Sequence, residues 1–255
     1  MKVLGIIPAR LAATRFPNKP LAQIEGMPMI GHCYFRSKMC TLLDDVYVAT
    51  CDTEIKEYID KVGGKSIMTA NTHDRASERT AEALINIEKQ LGRQFDIIVM
   101  IQGDEPLIDP DMIREAAEPL LKGDKLVSNL MASLPDHKDR INPNYVKVVT
   151  DLQKKALYLS REAIPSNKNY KKEIETFRQL GLIAFTRKAL LQFVELEPST
   201  LEIIESVDMN RFLDYGIPIH MVVTQYEADS VDTPEDLIRV KEKMRKDKLY
   251  PAYKL

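Results

Sequence analysis

The chain has 255 residues, of which 44% are hydrophobic and 29% charged, and its formal net charge is -2. That balance is ordinary for a globular protein, with room for one large α/β domain or one domain with a sizeable insert, and it excludes the strongly basic footprint of a nucleic-acid binder. No apolar run is long enough to span a bilayer, and the N-terminus leads into a strand rather than a signal peptide, so a cytoplasmic protein without a membrane partner is expected.

In chain order, Val3 to Ile7 reads as a buried strand and Pro28 to Met39 as a helix with Pro28 near its first turn. Cys33, Cys40 and Cys51 form no CxxC pair, and His32 has no further ligands at zinc spacing, so they read as buried thiols rather than a metal site or disulfides. Asp45 to Thr50 is a second strand. A helix opens near Thr53 and ends before Gly63-Gly64, and Lys65 to Met68 is a short strand. Ser77 to Leu91 has helical periodicity, with Ala81, Leu84, Ile85 and Ile87 clustered. Asp96 to Ile101 is the near-continuous apolar run of a central parallel strand, and Asp109 to Lys122 is another helix.

Strands alternating with helices of this length predict a mostly parallel sheet, with ligands bound beyond the carboxyl ends of its strands. The loops after Ile7, Thr50 and Ile101 are therefore expected on one rim. Beyond Asp124 the rhythm changes. Val127 to Leu134, Val146 to Thr150, Ala156 to Leu159 and Leu180 to Phe185 carry strand signal, Pro135 to Pro143 is polar, and lysine-rich Ser166 to Glu175 reads as a mobile loop. Ile219 to Thr224 is a clean alternating strand. Pro234 to Lys246 is a charged helix, and the lysine-rich tail reads as a solvated face. The expected division is an α/β core of 1–128 and 219–255 with a smaller inserted lobe of 129–218.

The chemistry concentrates at strand ends. Gly5 to Leu21 runs from the first strand into a small-residue loop carrying Arg10, Arg15 and Lys19. Ala9, Ala12 and Ala13 let backbone amides approach phosphate oxygens, the arginines offer planar donor forks, and Lys19 adds a point charge. The run is neither GxxxxGK[ST] nor GxGxxG. In Gln102-Gly103-Asp104-Glu105-Pro106, Gly103 permits a tight turn and Asp104 projects from a strand's carboxyl end, suited either to Mg²⁺ beside substrate phosphates or to a turn or cap. In Val231-Asp232-Thr233-Pro234-Glu235-Asp236-Leu237, Thr233 or Asp232 can cap the helix that Pro234 opens, and Asp232 is also a candidate second metal carboxylate.

These segments, together with Asn142-Pro143-Asn144-Tyr145-Val146-Lys147-Val148-Val149 and Ala156-Leu157-Tyr158-Leu159-Ser160-Arg161-Glu162-Ala163-Ile164-Pro165, resemble the CMP-Kdo synthetase (3-deoxy-manno-octulosonate cytidylyltransferase) family in order over nearly the whole chain. The resemblance implies a nucleotidyltransferase-type α/β fold and a homodimer. It also implies CTP as donor, Mg²⁺ as metal, an acidic sugar as acceptor, and a place in lipopolysaccharide biosynthesis. Carried over, Pro8, Ala9, Arg10 and Lys19 would hold the base and phosphates of CTP, and Gln102 would lie near the ribose or base. Asp104 and Asp232 would ligate Mg²⁺, with Lys19 and Arg10 offsetting charge on the leaving pyrophosphate. Arg15 and Arg161 would face the acceptor's acid, Gln179 would line its pocket, and Glu202 and Glu205 would either line that pocket or be plain helix surface.

The chain also departs from the family. Where the family has His-x-Ser-Gly-Thr-(Glu/Asp)-Arg, this chain has His73-Asp74-Arg75-Ala76-Ser77-Glu78-Arg79, with an added cation at Arg75. Where it has His-Leu-Gly-Ile-Tyr-Gly-Tyr, this chain has Gln179-Leu180-Gly181-Leu182-Ile183-Ala184-Phe185, and Met209 replaces a Gln. Nucleotide and metal elements are kept while acceptor elements change, and a changed hydrogen-bonding wall changes which sugar is accepted. The readings left open are transfer to Kdo, transfer to another acid such as an amino-ulosonate or a phosphonate, and a CTP-binding sensor without turnover.

Overall fold

The computed structural model describes residues 1–12, 16–134, 136–169 and 174–254. In chain order the strands are β1 (Val3–Ala9), β2 (Gln23–Ile24), β3 (Met27–Pro28), β4 (Asp45–Thr50), β5 (Ser66–Met68), β6 (Ile97–Met100), β7 (Val127–Ser133), β8 (Lys147–Thr150), β9 (Ala156–Ser160), β10 (Phe177–Thr186) and β11 (His220–Val223). The helices are α1 (Met29–Lys38), α2 (Thr53–Lys61), α3 (Ala76–Leu91), α4 (Pro110–Leu121), α5 (His137–Ile141), α6 (Arg187–Glu195), α7 (Thr200–Glu205), α8 (Met209–Asp214) and α9 (Pro234–Met244).

One mixed sheet runs β11-β7-β10-β6-β1-β4-β5, with β8 paired to β10 and β9 to β8. β1 pairs in parallel with β4 (Ala9 opposite Thr50) and with β6 (Ile6 opposite Met100), so the loops after these three strands open on one rim, as the alternation predicted. Every residue of β1 is buried, and its side chains alternate between two cores. Leu4 and Ile6 join Ala81, Leu84 and Ile87 of α3, Phe193 of α6 and Phe212 of α8. Val3 and Ile7 join Ile30 and Tyr34 of α1, Ile55 and Ile59 of α2, and Met112 and Leu120 of α4. Each such fully buried side chain contributes about 1.5–3 kcal/mol, which makes β1 the stiff floor from which the N-terminal loop departs.

The expected boundary near residue 129 falls inside β7. β10, expected in the inserted lobe, lies between β6 and β7 and pairs with both antiparallel. The lobe thus shares the main sheet, because Ile183 and Phe185 of β10 belong to the same core as Leu4 and Ile6. α6 and α8 lie outside the elements read from the sequence, and α5 occupies part of the segment read as merely polar. The expected loop of 166–175 lies partly outside the described residues. The C-terminal tail keeps Lys246, Lys248 and Lys254 exposed, as expected of a solvated face, while its tyrosines fold back onto the protein. Tyr250 and Tyr253 pack with Val240, Met244 and Ile24. Tyr253 Oη meets His32 Nδ1 at 3.0 Å and accepts from Arg36 Nε at 3.1 Å. No described helix is long and apolar enough to cross a membrane.

Candidate active site

The turn after β6 and the loop before α9 are tied by backbone: Val231 N donates to the Asp104 carbonyl at 2.9 Å. Val231 itself is buried beside Val240 and Met244, which anchors the loop. Of the two candidate caps for α9, Thr233 performs the role. Its Oγ1 accepts from Asp236 N at 3.2 Å, while the Asp236 carboxylate accepts from the backbone N–H groups of Asp232 and Thr233, both at 3.0 Å. The Asp232 carboxylate points at Lys19.

Lys19 opens a short 3-10 turn after Asn18, whose φ of 59° is left-handed, a conformation asparagine tolerates. Its Nζ lies 2.7 Å from Asp104 Oδ2 and 3.3 Å from Asp232 Oδ1. Two carboxylates far apart in sequence thus converge on one cation at the sheet's rim. Burial alone would lower the Lys19 ammonium, but the charges and hydrogen bonds of Asp104 and Asp232 more than offset it and hold its pKa above the ordinary lysine value. Next to Asp104, burial first and then the Asp104 charge push the Glu105 carboxyl up to about 8. Two hard carboxylate donors beside an open cleft fit the preference of Mg²⁺ for few carboxylates plus substrate phosphates.

A cleft of about 230 Å³ opens along this rim. Pro8, Ala9, Arg10, Lys19, Gln102 and Asp104 line it, with the N-terminal turn of α3 opposite. Arg10 reaches the His73 carbonyl only at 3.5 Å. Gln102 is fixed by donating from Nε2 to the Gly181 carbonyl at 3.0 Å. A Cβ on Gly181 would collide with Gln102 Cγ, so the absence of a side chain there is what lets Gln102 lie down. Arg79, buried at 3% exposure, also lines this cleft and donates to Ala70 O at 3.1 Å. Arg79 ends the His73 to Arg79 segment and has no role assigned from the sequence. Its place one turn into α3, facing the rim, was the available signal.

A second cleft of about 390 Å³ adjoins the first, and Asp74, Arg75, Ala76 and Gln102 line both. Asp232, Arg161 and Gln179 line the second. Gln179 Nε2 donates to Asn129 Oδ1 at 2.6 Å. Arg161 spends its fork on backbone carbonyls: Glu205 O at 2.7 Å, Pro143 O at 2.9 Å and Ser206 O at 3.3 Å. Glu205 is not among the described lining residues. It accepts from Ser160 Oγ and Arg161 N, both at 2.7 Å, and from Tyr158 Oη at 2.8 Å. Burial would raise its carboxyl, but these donors more than compensate and hold it below the usual range.

Glu202 is also absent from the described lining. It is fully buried and grips Arg211 with both oxygens, at 2.6 and 2.7 Å. Its expected pocket role therefore gives way to an internal ion pair, and plain helix surface does not describe it either. Arg15 lies outside the described residues. Arg75, Arg178 and Asp208, not assigned from the sequence, line the second cleft.

A mixed sheet with two adjoining clefts on its strand-end rim, lined by cations and converging carboxylates, defines a nucleotidyltransferase-type α/β protein. The cytidylyltransferase family profile matches residues 4–223. The chain is 39% identical to a 3-deoxy-manno-octulosonate cytidylyltransferase of Geotalea daltonii, across 96% of this chain and 99% of the relative. It is 40% identical to the Desulfosudis oleivorans protein of the same name, across 96% and 98%. Among solved structures, CMP:2-keto-3-deoxy-manno-octonic acid synthetase complexed with CTP superposes with a TM-score of 0.88 at 31% identity, covering 96% of this chain and 99% of that one. A 4-diphosphocytidyl-2C-methyl-D-erythritol synthase from Anaerococcus prevotii, at 13% identity and a TM-score of 0.64, shares the fold. The chain belongs to the cytidylyltransferase family.

Proposed function

We propose that this protein transfers CMP from CTP to 3-deoxy-manno-octulosonate or a closely related ulosonate, releasing pyrophosphate. The observation that carries this reading is the junction of the two clefts at Lys19, Asp104 and Asp232. CTP lies in the first cleft against Pro8, Ala9, Arg10, Lys19 and Gln102, with its α-phosphate toward the junction. The acceptor lies in the second cleft beside Gln179. Its anomeric hydroxyl attacks the α-phosphorus in line, a new P–O bond forms, the bond to the β-phosphate oxygen breaks, and the hydroxyl proton leaves to solvent.

No side-chain nucleophile is needed, so positioning and charge neutralisation supply the rate. Asp104 and Asp232 would hold Mg²⁺, which supplies Lewis-acid polarisation of phosphate oxygens when bound. Arg10 and Lys19 neutralise charge on the leaving pyrophosphate. Arg161 acts indirectly, fixing the loops at Pro143 and Ser206 that wall the acceptor cleft. A homodimer and a cytoplasmic location belong to the same reading, and sedimentation equilibrium tests the first.

Acceptance of a related ulosonate is supported by Ile183 and Met209 on the second cleft's wall, where the resembled family carries side chains with hydrogen-bonding groups. The test is pyrophosphate release with CTP and Mg²⁺ across a panel of ulosonates and other acids. Release with an octulosonate is expected. Tight CTP binding without release from any acid would overturn the reading.

A further inference from the structure

Arg75 stands where the two clefts meet. Its side chain is 24% exposed, and its contacts come from the acceptor side. Nη1 donates a hydrogen bond to Ser206 Oγ at 3.2 Å and lies 3.5 Å from Asp208 Oδ1, and Nε lies 3.6 Å from Glu202 Oε1. Both acids have closer partners. Glu202 holds Arg211, and Asp208 accepts from Ser77 Oγ at 2.9 Å. At 3.5 and 3.6 Å the carboxylates steer the guanidinium by charge without engaging its fork in hydrogen bonds. The other arginines lining the second cleft are placed differently. Arg161 donates to three backbone carbonyls. Arg178 donates to Ala228 O at 3.0 Å, lies over the Tyr145 ring, and borders a further cavity toward Val223 and Arg239. Among the described lining residues of the second cleft, Arg75 is the arginine that borders both clefts.

The chemistry of the acceptor narrows what such a cation meets. In a cyclic 2-ulosonate the attacking hydroxyl and the carboxylate sit on the same carbon. A hydroxyl brought to the α-phosphorus at the junction brings its carboxylate there too. We propose that Arg75 receives the acceptor's carboxylate, and that it thereby selects acids in which carboxylate and attacking hydroxyl share a carbon. A planar fork engages a carboxylate through two parallel charge-assisted bonds, which fixes the hydroxyl's direction as well as its distance. The inference rests on the cytidylyl-transfer reading.

The test measures pyrophosphate release with the ulosonate that the wild-type protein uses best and with the carboxamide of the same compound, in wild type, Arg75→Ala and Arg75→Lys. Neutralising the carboxylate is expected to cost wild type about 10- to 100-fold in kcat/KM, the worth of a charge-assisted hydrogen bond, and to cost Arg75→Ala less than about threefold. Arg75→Lys falls between, and the KM for the acid moves more than the KM for CTP. Arg75→Gln keeps the polar head and serves the same comparison where the alanine variant does not fold. The inference is overturned if Arg75→Ala and Arg75→Gln lose as much as wild type on going from acid to carboxamide, because the carboxylate then meets another group. A wild-type protein that releases no pyrophosphate with any acid overturns the underlying reading instead, a result distinct from unchanged sensitivity.

Discussion

The first cleft, proposed for the donor, and the second, proposed for the acceptor, use charge in different ways. In the donor cleft, Arg10 and Lys19 project from the loop after β1, and Lys19 meets its carboxylates at the surface of the cleft itself. Around the acceptor cleft, charged side chains are largely turned to the protein's own needs. Arg161 holds three carbonyls, and Glu205 caps the end of β9. Glu202 grips Arg211, and buried Lys147 donates to Asn142 O, Tyr145 O and Arg161 O. On the donor side, parallel strands fix where the loops begin, and Lys19 pairs with Asp104 and Asp232 at the rim. The acceptor side is built from loops and short helices, and there the ionic groups supply the bracing.

The largest effect is expected at Glu202 and Arg211, which brace the acceptor side. Both are buried, so removing one partner leaves an uncompensated charge, and Arg211→Met is expected to cost about 3–5 kcal/mol of stability. Denaturant unfolding measures it. A variant of normal stability with a raised acceptor KM would return Glu202 to the substrate pocket.

A smaller effect sharpens the contact between the two sides. Gly181→Ala pushes the Gln102 side chain from its seat and removes its bond to the 181 carbonyl. Loss of that internal hydrogen bond is expected to cost about 0.5–1.5 kcal/mol of stability, and the displaced Gln102 is expected to raise the nucleotide KM. An unchanged KM in steady-state kinetics would remove Gln102 from the donor site.

The smallest effect lies away from both clefts. Burial chiefly, with the Arg36 charge adding to it, lowers the His32 pKa below the ordinary histidine value against opposing backbone hydrogen bonds. The unfolded chain therefore binds more protons than the folded one as pH falls below about 6.5, and stability declines through that range. His32→Gln is expected to flatten this part of the acid limb in melting curves taken from pH 7 to 5. An unchanged acid limb would show that His32 does not titrate across unfolding.

The donor side was legible in the sequence because apolar parallel strands fix where its loops begin. The apolar run Asp96 to Ile101, short and followed by Gly103, reads as a covered strand, which puts Gly103 and Asp104 at its end. Thr233-Pro234 with Asp236 marks a helix start by local chemistry alone. The acceptor side was less legible because its side chains have roles set by partners distant in sequence. Nothing local says that Glu202 faces Arg211, that Arg161 caps carbonyls at 143 and 206, or that β10 enters the sheet antiparallel between β6 and β7. Tyr250 and Tyr253 sit in a short turn without a period to read, and their burial depends on His32 and Arg36, which only the fold brings near. Arg75 was visible as an odd cation in a familiar motif, but its position between two clefts was not.

In the proposed reaction Asp104 and Asp232 work at one point, where the donor and acceptor clefts meet. Asp104→Asn tests it most directly, with CTP binding followed by calorimetry and pyrophosphate release followed with CTP, Mg²⁺ and an octulosonate. Turnover is expected to fall by at least about 10²- to 10³-fold, the scale for losing one electrostatic contact to the transition state, while CTP affinity falls far less. Near-normal Mg²⁺-dependent turnover in Asp104→Asn would contradict it.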